Sequence, residues 1–248
     1  MGLRVTALLI ALCFVSTGCG FFSGTKHATE ELVWPEEVEL EQESGLDPAE
    51  KRMAGIVYPV DTRLQSLIQA VTTLEPSSEG ELADLVSKFP WVVGAAVVSP
   101  EAEIRLQRPE KEQIHLAVEE LVQRASQWRD RRLHAVYGKQ RYGADVVVLK
   151  SLYTDGDHKG YLVVPFDFRS LADYSSRSEE LIAVGGDCVL WPGRYVTASE
   201  RLAGTEWDAL LEDGVSGRHS VGDRKFLWMA RYIGREPFFY AVEIQQGT

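Results

Sequence analysis

Two cations and a tryptophan stand where a charge needs a reason. Lys150 closes the apolar run Val146–Leu149, and Arg131 lies in the cluster Trp128-Arg129-Asp130-Arg131-Arg132. A guanidinium holds a carboxylate through two parallel N–H bonds. Trp128 and Arg131 at a pocket rim would therefore receive a small anion. The competing reading is an amphipathic helix end, where Arg complements the helix dipole. Lys150 is open in the same way: it either snorkels at the end of its strand or lies inside a pocket.

Other chemistries fail on spacing. There is no G-x-S-x-G elbow, Walker loop, H-E-x-x-H or G-x-G-x-x-G, and no nucleophile–base pair can be named. The chain reads as a non-enzyme that needs no cofactor. Asp155, Asp157 and Gly160 begin like a calcium loop, but Lys159 and Phe166 occupy ligand positions, so a hairpin turn is the better reading. His27, His115, His134, His158 and His219 share no metal-ligand spacing. Cys188 is either a reactive thiol or a small buried hydrophobe.

The first residues bear on where any such site works. Arg4 is followed by the apolar run Val5–Val15 and then by Ser16-Thr17-Gly18-Cys19. A positive start, a short apolar stretch and a small-residue exit make a secretory signal. The run is shorter than the roughly 20 apolar residues that span a bilayer. Ser16–Cys19 resembles the lipobox of bacterial lipoproteins, with Ser16 where Leu or Val is usual. That resemblance implies lipid on Cys19 as the first mature residue. Gly20 in place of a retention Asp implies the periplasmic face of the outer membrane. An ordinary cleaved signal, with Cys19 incidental, is the alternative.

The net charge of −11 is unevenly placed, for residues 20–50 carry −8 of it. With Cys13 in the signal and Cys19 lipidated, Cys188 has no partner for an intrachain disulfide. No basic stripe appears, which argues against nucleic-acid binding. Residues 20–50 mix Gly, Ser, Thr and Pro with Glu and read as an extended, solvated tether. Val33-Trp34-Pro35 is the exception: it docks on the domain, lies at the lipid interface, or is incidental. The expected organisation is signal 1–18, lipidated Cys19 and acidic tether 19–50, and one domain over 51–248.

Within that domain, Val60, Leu64, Leu67, Ile68, Val71 and Leu74 recur at helical spacing, so the pattern predicts a helix from about Ala54 to Leu74. Ser78-Glu79-Gly80-Glu81 reads as a capping box for a second, short helix. After Pro90, Trp91–Ser99 is an apolar strand, with Ile104 and Leu106 in its hairpin partner. Pro109 opens a middle helix whose stripe runs from Ile114 to Trp128. Val146–Tyr153 and Lys159–Pro165 form a hairpin around Asp155–His158. Leu181–Val184 and Val189–Trp191 flank a turn at Gly185–Asp187. A short helix bearing Trp207 and three closing strands complete the pattern. Hairpin strands with helices between them predict an α+β domain, with one antiparallel sheet of about five or six strands flanked by helices.

Three stretches carry a family resemblance. Leu82–Arg105, with "WVVGAAVVSPEAEI", is similar to the helix, first strand and turn of the extracytoplasmic PAS-like sensors called Cache domains. Gly160–Asp167 with the helix after it resembles their crossover strand. Gly186–Gly217 and the last strands resemble their closing hairpin, Trp-bearing helix and strands. The resemblance implies a single PAS/Cache-like domain whose ligand lies on the helix-covered face of the sheet. The candidate ligand-binding residues are then Trp128, Arg131, Lys150, Tyr153, Tyr161 and Asp187. Pro165 stands where relatives often have a ligand-facing Asp, which points to a carboxylate or uncharged ligand rather than an amine. The implied function is small-molecule sensing through a protein partner. The alternative is a structural or assembly lipoprotein whose domain binds only protein.

Overall fold

The computed structural model describes residues 47–109, 118–128, 132–138 and 146–245. The expected signal, the lipobox with Cys19, the tether as far as residue 46 with Trp34, and Arg131 lie outside those residues, whereas 47–50, read as the end of the tether, are described and start the first helix.

Helix α1, Pro48–Thr73, begins six residues before the apolar pattern suggests. The cause is local. Asp47 caps the helix by accepting from the Ala49 N–H at 3.0 Å, and Pro48 is at the first helical position, where its missing N–H is not needed. Met53, Ile56, Val57, Val60, Leu64, Leu67 and Val71 form its buried stripe. α2, Glu79–Lys88, starts with the expected capping box. The Glu81 carboxylate accepts from the backbone N–H of Ser78 at 3.1 Å and of Ser77 at 2.6 Å.

Among the described residues ten strands follow, divided between two sheets of five. The first contains β1 (Ala95–Val98), β2 (Ile104–Arg108), β3 (Leu133–Tyr137), β4 (Val146–Thr154) and β5 (Asp157–Phe166). The second contains β6 (Leu181–Gly185), β7 (Cys188–Trp191), β8 (Ser216–Val221), β9 (Arg224–Ile233) and β10 (Glu236–Glu243). Their orders are β2-β1-β5-β4-β3 and β7-β6-β10-β9-β8, all pairs antiparallel. One order is the other repeated five strands later. The α+β class, the antiparallel pairing and the long N-terminal helix stand as expected. The strands make two sheets rather than one because β10 pairs with β6 and β5 with β1, which closes each set on itself.

Both sheets turn one face to a shared core under α1, α2 and α4 (Phe168–Ala172). α1 is tied to both. Arg52 pairs with Glu180 at 2.6 Å, ahead of β6, and Asp61 with Arg231 of β9 at 3.0 Å. The far end of α1 meets β4 through Lys150. The opposite faces have separate cover. α3, Val118–Ala125, lies on the first sheet, and α5 (Val196–Ala203) and α6 (Trp207–Asp213) on the second. α3 falls within the span expected for the middle helix. β3 and α5 carry no motif that the sequence reading used.

Candidate functional site

Side chains alternate across a strand, so each residue of the first sheet faces either α1 or α3. Ala96 and Val98 of β1, Val147 and Leu149 of β4, and Tyr161 and Val163 of β5 face α3. With Leu121, Val122 and Ala125 of that helix they make an apolar floor. Toward the β4–β5 hairpin the floor becomes polar at its tips. Ser151 stands opposite Tyr161 in the ladder, and Tyr153 opposite His158. The His158 ring lies 5.3 Å from that of Tyr153 and 4.7 Å from that of Tyr161. Tyr161 and Ser151 are both buried.

Burial, and secondarily the nearby Tyr153, raises the Tyr161 hydroxyl above its ordinary pKa. It stays protonated at neutral pH and can both donate and accept. Gly160 makes this placement possible. Its φ is +131°, and a Cβ there would lie 2.0 Å from the Val98 carbonyl. On the β3 side, Trp128 stacks on His134 with centroids 4.0 Å apart and planes 7° from parallel.

β3 also joins the two halves. The Tyr137 hydroxyl donates to the Glu236 carbonyl at 3.2 Å. His134 Nδ1 is 3.8 Å from a Glu236 carboxylate oxygen. Gly234 fits against Leu133 because a Cβ there would lie 1.6 Å from the Leu133 carbonyl oxygen. Burial, then the Glu236 charge, raises the Tyr137 pKa far beyond the usual phenol range.

The six residues singled out from sequence are not brought together as a set. Trp128, Tyr153 and Tyr161 belong to the α3 side of the first sheet. Lys150 does not, because its neighbours Leu149 and Ser151 take that face. Its ammonium lies under α1, 2.8 Å from the Leu74 carbonyl and 2.6 Å from a Glu75 oxygen. With the side chain 9 % exposed, it neither snorkels nor lines the α3 face. It holds the last turn of a helix whose end carries free carbonyls. Asp187 is exposed in the β6–β7 turn of the other sheet, its carboxylate accepting from the Cys188 thiol at 3.4 Å. Cys188 itself is half-buried.

Ser151, His134 and His158 share the face and were not singled out. The hairpin turn alone does not reveal them: with Asp155-Gly156 as the turn, Tyr153 pairs with His158, but only the register shift between Leu152 and Tyr153 sets Ser151 opposite Tyr161 and brings all four to one side. His134 had no signal, because β3 itself was not recognised.

The second sheet presents its corresponding face differently. Trp207 of α6 stacks on Phe239 at 4.0 Å and meets Trp228 edge-on at 5.4 Å. Its indole N–H donates to the Leu202 carbonyl at 3.0 Å. Ile182, Tyr195, Leu202 and Phe226 fill the rest. An open groove of about 620 Å³ beside α6 is rimmed by Glu206, Asp208, Glu212 and Glu236, with Tyr137 in its wall.

No protein-family model matches the chain, and no curated protein matches it. Among solved structures it is similar to an extracellular ligand-binding receptor from Desulfohalobium retbaense, at 14 % identity and TM-score 0.49, over 79 % of this chain and 39 % of that one. The chain thus spans well under half of that receptor. It is similar to the ligand-binding domain of a Pseudomonas aeruginosa amino acid chemoreceptor in complex with GABA, at 11 % identity and TM-score 0.49, covering 79 % of this chain and 95 % of the other. A third is a domain of a sensory box/GGDEF family protein from Vibrio parahaemolyticus, at 10 % identity and TM-score 0.47, covering 80 % and 96 %.

Proposed function

We propose that this protein is an extracytoplasmic, small-molecule-binding lipoprotein that works through a protein partner rather than by catalysis. Lipid on Cys19 holds it to the periplasmic face of the outer membrane, and residues 51–248 form the binding domain. One observation carries the reading. Two sheets of the same strand order have different outer faces: the second packs Trp207, Trp228 and Phe239 under its helices, whereas the first gathers Tyr153, His158 and Tyr161 beside buried Ser151 at one end of an aliphatic floor. An apolar floor with a few convergent polar groups is the usual make-up of a small-molecule site.

Among the described residues, Ser151, Tyr153, His158 and Tyr161 offer hydroxyl and imidazole groups at this end of the face. A carboxylate or an uncharged polar ligand can be met by these donors. Glu75 holds Lys150 on the other side of the sheet, so the cation for an anionic ligand is assigned to Arg131.

Thermal-shift screening of the chain against carboxylates, uncharged polar compounds and amines tests this, because a ligand of the folded state raises its melting temperature. A carboxylate or neutral compound should stabilise the protein, and Tyr161→Phe should reduce that shift. A response to amines alone, or to none of the three classes, would overturn the assignment. Anchoring has its own test. Cys19→Ala should move the protein from the detergent phase to the aqueous phase, and unchanged partitioning would remove the lipoprotein reading.

A further inference from the structure

We infer that the open groove beside α6 is a docking site for an extended segment of a partner protein that carries lysines or arginines. The groove lies between α6, the β6–β7 turn and the start of β10, and holds about 620 Å³. Its walls are largely apolar, made by Tyr137, Trp207, Ala209, Pro237 and Phe239. Trp207 and Phe239 are buried and stacked on each other, so the wall is fixed by the core behind it. An apolar wall open to solvent gives a partner's side chains something to cover.

Charge identifies the occupant. Glu206, Asp208 and Glu212 stand exposed at the rim, and none of the three has an ion-pair partner among the described residues. Glu236 adds a fourth carboxylate, 3.8 Å from His134 Nδ1. The placement works against the helix that bears it. Asp208 and Glu212 are four residues apart, and like charges at that spacing destabilise a helix. Glu212 also lies in the last turn of α6, which holds no basic residue, and there a carboxylate opposes the helix dipole. Local conflict of this kind is expected where residues serve something outside the fold.

The carboxylates are spread along the rim. Among the described residues no three acidic, histidine or cysteine side chains converge closely enough to hold a metal ion, so the groove suits several spaced cations better than one. Asp208 and Glu212 are about 6 Å apart along the helix. Alternate side chains of an extended chain are about 6.6 Å apart, so basic residues at every second position meet both. The residues between them point the other way and can turn apolar groups to the wall. A second copy of this chain, at −11, is repelled by the same rim. The inference rests on the reading that this protein acts through a protein partner, and it is separate from the ligand face under α3.

Fluorescence anisotropy of the full chain with a labelled short peptide that alternates lysine and leucine tests this. The peptide should bind, and more weakly as salt rises. Asp208→Asn with Glu212→Gln should weaken binding about five-fold, as expected for two exposed ion pairs. Glu101→Gln with Glu103→Gln removes the same charge from the exposed β1–β2 turn and should leave binding unchanged. A peptide alternating lysine and glycine should bind less well, since it offers the wall no apolar side chain. Glu212→Gln alone should keep or raise the melting temperature, which separates lost binding from lost folding. The thermal-shift response to carboxylates or neutral compounds, and its reduction by Tyr161→Phe, should be the same in the Asp208→Asn, Glu212→Gln protein, so the two readings fail separately. No binding, equal weakening by both double variants, or equal binding of the glycine peptide would overturn the inference. Binding that emerges only after Lys139→Gln with Arg141→Gln would do so too, by showing that the chain's own cations fill the groove.

Discussion

The two sheets share a strand order but fill their outer faces differently. On the second, Trp207, Trp228, Phe226 and Phe239 interlock under α5 and α6, and the one indole N–H from α6 is satisfied by its own chain. That face is core. On the first, α3 covers an aliphatic floor, and the aromatic side chains gather at one end with hydroxyl and imidazole tips. Even the equivalent turns differ. The β6–β7 turn places Gly186 at φ +56°, whereas the β1–β2 turn places Ala102 at +67°, a conformation that strains any residue with a Cβ. One copy packs aromatic rings across its outer face, and the other holds its rings at one end of an aliphatic floor.

The sharpest way to break this comparison is to empty the second face. Trp207→Ala removes a buried, stacked indole and should destabilise the protein by about 3–5 kcal/mol, read from the denaturant midpoint. Tyr161→Phe, by contrast, should hardly move that midpoint. If the two effects were equal, the first face would be core as well.

Next comes the cation that links the first sheet to α1. Lys150→Met keeps the volume but removes the bonds to Leu74 and Glu75, and should cost about 1–2 kcal/mol. Glu75→Gln should cost under about 1 kcal/mol, since Glu75 is largely exposed and its pairing is screened. A Glu75→Gln loss as large as that of Lys150→Met would mean that charge, and not the helix-end bond, carries the contact.

A smaller effect, of opposite sign, belongs to the strained turn. Ala102→Gly relieves the positive φ and should stabilise by up to about 1 kcal/mol, the gain being reduced by the entropy glycine brings to the unfolded chain. A neutral or negative result would show that the turn is not strained.

The smallest is a pH dependence confined to the first half, where α2 borders β1 and β2. Hydrogen bonds from Ser77, then Ser78, hold the Glu81 carboxyl below the ordinary carboxylate range. A depressed pKa means that its contribution is present above the unfolded-state value and is lost as pH falls through the folded one. Acid titration followed by NMR should therefore loosen the start of α2 below the usual carboxylate range. Glu81→Gln should abolish that step.

Much of this was legible in the residues. The capping box at Ser78, the turn at Asp155-Gly156, the Pro90 break and the apolar period of α1 are each local, so a few neighbouring side chains decide them. Period-2 patterning also gave the strands that alternate. It gave no answer at Val146–Leu149, which is apolar on both faces, and so Lys150 was assigned to either side with equal reason. β3 is five residues long and precedes no recognisable turn, and with it His134 was lost from the site.

Local sequence by itself determined most of the elements, though not β3 or α5, together with the α+β class and several residues of the α3-side cluster. Only the tertiary structure decided that the strands close into two sheets, that Lys150 serves a helix end, and that Asp187 stands in the other half. The reason is physical. A strand has two faces and two edges, and which of them is buried depends on partners far away in the chain, whose pairing no short window of residues contains.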